Sequence, residues 1–432
     1  MARIQINKSM HSQNRQNLIQ IITNLLKFWH SDADTQEMQI FFEKSPGSGI
    51  KNYFPDEFDK MVKSISKALP IEYISSPVLE AECVSFLSDL VCHGINKNEA
   101  IGEALENFKV RLENMVGVWK VIVPVDNLSL ENLDKIKIGN VSLMPFDDIE
   151  AKIKSEYFAI IDSKKLPAEI KNSYKSHFDE LIGSKFRNKI CACIEMTAES
   201  NALYQEALLE VENVINLLRI YMPLSTNNKI IKIGINEAWI PPLSLICLRE
   251  DEQQIFIPGK AFSFKINYVI TKDLLSSWEK EYHLRDLEKI LGKRPHTRVP
   301  YETQIFTAIR WLGFGIHDDI NSDALIKFAI ALECLVLSGN DWSKSEMLAE
   351  RCAYLLGENQ EQRFRIYRDI KDFYDTRSEI VHNGLEKVSD DELNRFLNLV
   401  LSCFFKILDL NIYNEINKTK DLIDWVTDQK FK

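Results

Sequence analysis

Every apolar pattern from Tyr301 to the end of the chain repeats at helical spacing. A stripe that recurs every three to four residues has one face to bury, so a run of such segments folds by laying helices against one another. The spacing predicts helices over 301–315, 322–338, 343–357, 361–381 and 389–413, with a short one over 419–428. Asp390 reads as the N-cap of the fifth, and Asn340-Asp341 and Gly357-Glu358-Asn359 punctuate the others.

Upstream the texture differs. Residues 1–115 read as helical, with apolar spacing over Leu18–Trp29 and further helices over 76–94 and 97–115. At Gly117 the pattern changes. Val118–Pro124 is rich in β-branched and aromatic residues, Ile136–Leu143 alternates like one half-buried strand, and Lys189–Met196 is a third strand. Helices are expected over 147–155 and 164–182, a long amphipathic one over 202–221, and three or four short strands within 229–270. The expected fold is therefore α+β, multidomain and mainly α. It has an N-terminal helical region (1–115), a mixed α/β region that senses or regulates (116–298) and an all-α helical bundle (299–432). The basic, proline-containing segment 289–300 marks the boundary before the last region. It reads either as a solvated linker or as a strip that contacts phosphates.

A length of 432 residues allows two to four domains at roughly 150 residues each. The formal charge of -10 excludes a uniformly basic nucleic-acid coat, so a polyanion would have to meet a local patch. No apolar run approaches the roughly 20 residues that span a bilayer. The first residues lack the apolar segment of a secretory signal, and the eight cysteines are dispersed. The expectation is a cytoplasmic protein with reduced thiols and no membrane partner.

Several chemistries leave no trace. There is no G-x-x-x-x-G-K-[ST], no G-x-G-x-x-G, no H-E-x-x-H and no G-x-S-x-G. Cys191 and Cys193 would point to one face of a strand, and without a second pair at ligand spacing they read as core. Cys92-His93 lies at a helix end, where packing is again the simpler reading over zinc. Neither a metal nor a cofactor is expected.

One constellation remains. In Tyr374-Asp375-Thr376-Arg377-Ser378-Glu379-Ile380-Val381-His382-Asn383-Gly384, an arginine precedes a histidine by five positions. On a regular helix that spacing turns the chain by about 500°, leaving the side chains roughly 140° apart. Asn383-Gly384 is a helix stop, and a bend there would bring the imidazole toward the guanidinium. Such a pair suits RNA cleavage. Histidine exchanges protons near neutrality, and a guanidinium offers parallel donors to the charge gathering on a phosphorane-like centre. The pattern alone is weak: a chain like this gives on the order of one R-x(4–6)-H match by chance. Arg310 and His317 form a second, and spacing alone does not choose between the two. Arg377 can equally pair with Asp372, Asp375 or Glu379 on a solvated face, and His382 can simply cap a helix end.

The segment from Gln304 through Phe328–Leu337, Leu348–Gly357 and Ile370–Gly384 resembles the HEPN family, specifically the ApeA-like HEPN domains of prokaryotic defence proteins. The resemblance covers residues 301–413. It implies a helical bundle with metal-independent endoribonuclease activity, Arg377 and His382 being catalytic in the R-x4-H positions and Arg310 and His317, away from those positions, being structural. Ser378, Asn383 and Glu333 would be substrate-binding or supporting. Glu333 falls where relatives often carry an acidic residue on a helix facing the motif. Ser378 stands where active nucleases of the family often have Asn, Asp or His. The resemblance further implies RNA as substrate, and a homodimer in which two motifs meet across a two-fold axis. It also implies an anti-phage, abortive-infection or toxin role with a phage-derived trigger or regulatory partner. The alternative within the family is a non-catalytic nucleotide- or protein-binding scaffold. Acidic residues outnumber basic ones in 301–413, so RNA would need a local patch, for which Arg363, Arg365, Arg368 and Lys371 are candidates. Residues 118–221 resemble, more faintly, the segment that often precedes such domains.

Overall fold

A computed structural model describes residues 12–31, 55–68, 74, 76–95, 97–225, 232–235, 247–249, 254–256, 267–293, 297–339, 341, 343–384, 387–414 and 416–431. The chain is mainly helical with a small antiparallel sheet. It divides into two compact units, Met1–Val121 with Glu195–Leu208, and Ile122–Ile194 with Leu209–Lys432. Among the described residues, no helix is long and apolar enough to cross a membrane.

The first unit is built from α1 (Ser12–Ser31), α2 (Pro55–Ala68), α3 (Ser76–Cys92) and α4 (Asn98–Met115). α2 starts on a proline, which has no N–H to leave unpaired, with Asp56 and Glu57 at the positive end of the helix dipole. Each helix sends one stripe inward: Leu18 and Ile22, Phe58 and Met61, Cys83 and Leu87, Leu105 and Leu112 are all buried in one cluster.

The four-stranded sheet is not confined to one unit: residues 116–121 and 195–199 of its strands belong to the first and the rest to the second. β1 (Val116–Val125), β5 (Ile190–Glu199), β4 (Val141–Pro145) and β3 (Ile136–Ile138) lie in that order. The stretch 136–143, expected as one strand, is a hairpin in which Ile136 faces Leu143 and Ile138 faces Val141. The reason is local: Gly139 takes φ +57°, which opens a two-residue turn with Asn140, and the alternation carries across both arms. Cys191 and Cys193 pack against one cluster with Phe146, and burial pushes the Cys191 thiol up to about 12. Cys83, Cys92, Cys191, Cys193, Cys334, Cys352 and Cys403 are unbridged. A strand that the sequence did not suggest, β2 (Leu128–Glu131), pairs in parallel with β8 (Tyr268–Thr271). β6 (Cys247–Arg249) and β7 (Gln254–Phe256) pair with each other, and the rest of 229–267 lies largely outside the described residues. α5 (Glu150–Ser163), α6 (Ala168–Leu181), a π-helical turn (Ile182–Phe186) and α7 (Ser200–Ser225) complete this part.

α8 (Lys272–Glu281) and α9 (Leu284–Gly292) lead into the C-terminal helices, α10 (Pro300–His317), α11 (Asn321–Val336), α12 (Lys344–Leu356), α13 (Gln360–Asn383), α14 (Asp390–Asn414) and α15 (Thr419–Lys430). The segment 289–300 does not separate the compact units, since both its flanks belong to the second. Its described cations are taken up by the protein. Lys289 pairs with Asp286 and Lys293 with Glu302. Arg298 donates to the carbonyls of Ile290 and Leu291 and lies over the Phe306 ring. Arg294 and His296 fall outside the described residues. The cap of α14 is Ser389 rather than Asp390. The Ser389 hydroxyl accepts from the Glu392 N–H, and the Glu392 carboxylate accepts from the Ser389 N–H. α10 and α11 close tightly because residue 315 is glycine; a Cβ there would sit 2.5 Å from the Phe328 ring. The Tyr301 hydroxyl donates to the Leu335 carbonyl and fixes the start of α10 to the end of α11.

Candidate functional site

α13 begins at Asn359, whose side chain accepts from the Gln362 N–H, and buries Ile366, Ile370 and Phe373 on one stripe. Phe373 stacks on Phe396 of α14 at 4.7 Å. Arg377 follows Phe373 by four residues, so it continues that inward stripe by one more turn.

There it meets α11. Arg377 Nη2 lies 4.0 Å from Glu333 Oε1, and Lys344 Nζ lies 3.9 Å from Glu333 Oε2. Tyr374 completes the group: its ring lies 5.5 Å from the Arg377 guanidinium carbon. Burial, and then the Glu333 carboxylate, push the Tyr374 phenol up. The arginine is held without being consumed. Its Nε is buried with no hydrogen-bond partner, and so is Glu333 Oε1.

His382 sits elsewhere on the same helix. α13 runs on through Asn383, and Gly384 takes the left-handed conformation (φ +68°) while its N–H reaches the carbonyl of Ile380. The bend expected at His382 is therefore absent. The glycine absorbs the reversal after the histidine, and the last turn stays regular. Five residues of regular helix leave Arg377 and His382 roughly 140° apart, one turned to α11 and the other exposed. Ser378 is half-buried and Asn383 exposed, and neither has a side-chain partner among the described residues. The structure thus joins Arg377 to Glu333 and leaves His382 and Asn383 facing outward.

Two members of the group escaped the sequence reading. Tyr374 could have been found, because it precedes Arg377 by three residues and shares its face. Lys344 could not, since it reaches Glu333 only through the loop that joins α11 to α12. The proposed basic patch is half spent. Lys371 pairs with Glu346, and Arg363 donates to the Gly357 carbonyl, leaving Arg365 and Arg368 exposed without partners among the described residues.

The second arginine–histidine pair lies on α10. Seven residues bring Arg310 and His317 within about 20° of each other on one face. Gly313 lies between them against Asn216 of α7, where a Cβ would come within 2.4 Å. His317 is held down to about 4 by burial, then by Arg219 and Lys232. Arg219 is fully engaged, donating to the Ile233 carbonyl, Glu212 and Asn216. In this polar seam between α7 and α10, Arg310 Nε and His317 Nδ1 are both buried without a hydrogen-bond partner.

Among the described residues, no group of three or more His, Cys, Asp or Glu is gathered closely enough to hold a metal ion. Neither protein-family models, curated proteins nor solved structures give any match to this chain.

Proposed function

We propose that the C-terminal helices form a HEPN-type endoribonuclease that cleaves RNA without a metal, with Arg377 and His382 as its catalytic groups. The observation that carries the reading is the Arg377 guanidinium. It is aimed by Glu333 and Tyr374 while its side chain stays 24 % exposed, and the 4.0 Å to Glu333 is too long to take up a donor. Nε itself is sealed from solvent, and the donors that a phosphate oxygen would meet are those on the exposed quarter of the side chain.

The chemistry follows from the two groups. His382 takes the proton of a ribose 2′-hydroxyl, and the oxygen attacks the adjacent phosphorus. Arg377 donates to the non-bridging oxygens as their charge grows. The bond to the 5′-oxygen breaks, that oxygen takes up a proton, and a 2′,3′-cyclic phosphate remains. Ser378, next to Arg377, and Asn383, next to His382, are assigned to substrate binding or support in this reading.

Because one α13 turns the two groups roughly 140° apart, we assign the active site to a homodimer, with Arg377 of one copy working beside His382 of the other. Phe364 supports this. It lies eighteen residues before His382, five full turns, so it shares that face, and it is 67 % exposed. Under this reading the protein is a cytoplasmic anti-phage or toxin effector, and the preceding regions sense a phage-derived trigger or regulatory partner. The same angular separation favours one competitor, a HEPN scaffold that binds nucleotides or proteins and cuts nothing.

Purified protein incubated with total cellular RNA decides between them. The nuclease reading requires fragments ending in 2′,3′-cyclic phosphate, unaffected by EDTA and lost in both Arg377→Ala and His382→Ala. Intact RNA with the wild type, or cleavage that survives both substitutions, overturns it.

A further inference from the structure

The first unit contains a half-open cavity of about 230 Å³ between α3 and α4. Sites for drug-sized ligands run roughly 300–1,000 Å³, so this one admits a molecule of one or two fused rings. Phe86, Leu90 and Phe108 form its apolar wall, with the two phenyl rings stacked at 4.6 Å. A wall of that kind favours a flat ligand.

The rim sets the polarity. Arg111 is already engaged: Nη1 lies 3.3 Å from Asp89 Oδ2, Nε lies 2.9 Å from Glu82 Oε2, and Nη2 donates to the Glu82 carbonyl. His93 Nδ1 lies 2.7 Å from the Asp89 backbone oxygen. A carbonyl only accepts, so Nδ1 carries a hydrogen and is a donor already taken. The Asp89 carboxylate only accepts. Asn107, exposed and without a side-chain partner among the described residues, both donates and accepts. Acceptors therefore outnumber free donors around the opening.

Charge points the same way. Glu82 and Asp89 against Arg111 leave one negative charge, and α3 ends beside the cavity, adding the negative pole of its dipole. A phosphate or carboxylate is repelled here, and a flat ring that carries N–H donors is attracted. We propose that this cavity binds an amino-substituted nitrogen heterocycle of nucleobase size, recognised as the free base and not through phosphate. The inference stands independently of the nuclease reading.

The test is calorimetry on the full chain with adenine, unsubstituted purine and AMP. Adenine should bind, and purine, lacking the exocyclic amine, should bind at least about tenfold more weakly. AMP should bind no tighter than adenine. Asn107→Ala, at an exposed position, should weaken adenine by about tenfold, and Ala104→Leu should abolish binding by filling the cavity, with the thermal midpoint of each variant showing that it is folded. Three results would each overturn the proposal. They are no adenine binding at millimolar concentration, AMP binding tighter than adenine, or adenine binding unchanged in folded Asn107→Ala.

Discussion

Arg377 stands 4.0 Å from Glu333, near enough for electrostatic attraction and too far for a hydrogen bond. The carboxylate therefore aims the guanidinium without using its donors. Glu333→Gln keeps the shape and removes the charge. RNA cleavage is expected to fall by about tenfold or more, because the arginine loses its anchor. The Tyr374 phenol, now raised in part by Glu333, should titrate at a lower pH. A pH titration followed by tyrosine absorbance reads the second effect without any nuclease assay. If neither quantity moves, Glu333 does not position the site.

The divergence of Arg377 and His382 on one helix makes a sharper claim about assembly. Neither Arg377→Ala nor His382→Ala should cut alone. Mixed and allowed to exchange subunits, they form heterodimers in which one composite site is intact, and about a quarter of wild-type activity should return. Failure of mixing to restore cleavage, with subunit exchange verified, would mean that both groups act from one chain or that neither acts.

Arg351 and Asp341 bear on stability rather than chemistry. Arg351 is buried, with two nitrogens on the Asp341 carboxylate at 2.6 and 2.9 Å and a further bond to the Val336 carbonyl. Hydrogen bonding from Arg351 holds the Asp341 carboxyl below its ordinary value. Asp341→Ala strands a buried guanidinium and should cost about 3–5 kcal/mol, seen as a lower urea midpoint at unchanged slope. Because this pair fixes the loop between α11 and α12, the variant should also loosen Lys344 from Glu333.

The C-terminal helices were legible because each carries a full apolar stripe; observed and expected ends differ by only a few residues over 301–430. What misled lay where one residue outweighs a pattern. Alternation over 136–143 is the same for one strand as for two arms of a hairpin, and only Gly139-Asn140 distinguishes them. Ser389 and Asp390 are both good caps, and it was Glu392, three residues beyond the serine, that settled the choice. In the site, Glu333 could be placed only through the family resemblance, since nothing in spacing links residue 333 to residue 377. Lys344 had no signal at all. Regular helix geometry sets Arg377 and His382 about 140° apart, and the bend expected at Asn383-Gly384 to close that gap is missing because the reversal comes only at Gly384.

His317 supplies the pH dependence. It is held down to about 4 against an ordinary 6.5, chiefly by burial, then by Arg219 and Lys232, with Asp318 and Asp319 opposing. Between those two values the unfolded chain binds a proton that the folded chain refuses, so acidification favours unfolding. The contribution is complete above pH 6.5, is lost progressively as the pH falls toward 4, and amounts to about 3 kcal/mol by the difference between the two values. Urea unfolding at pH 7, 5.5 and 4 measures it. His317→Gln, which cannot take the proton, should lose that part of the slope and gain on the wild type as the medium becomes acidic. Equal slopes in the two proteins would show that the α7–α10 seam admits a charged imidazole without penalty.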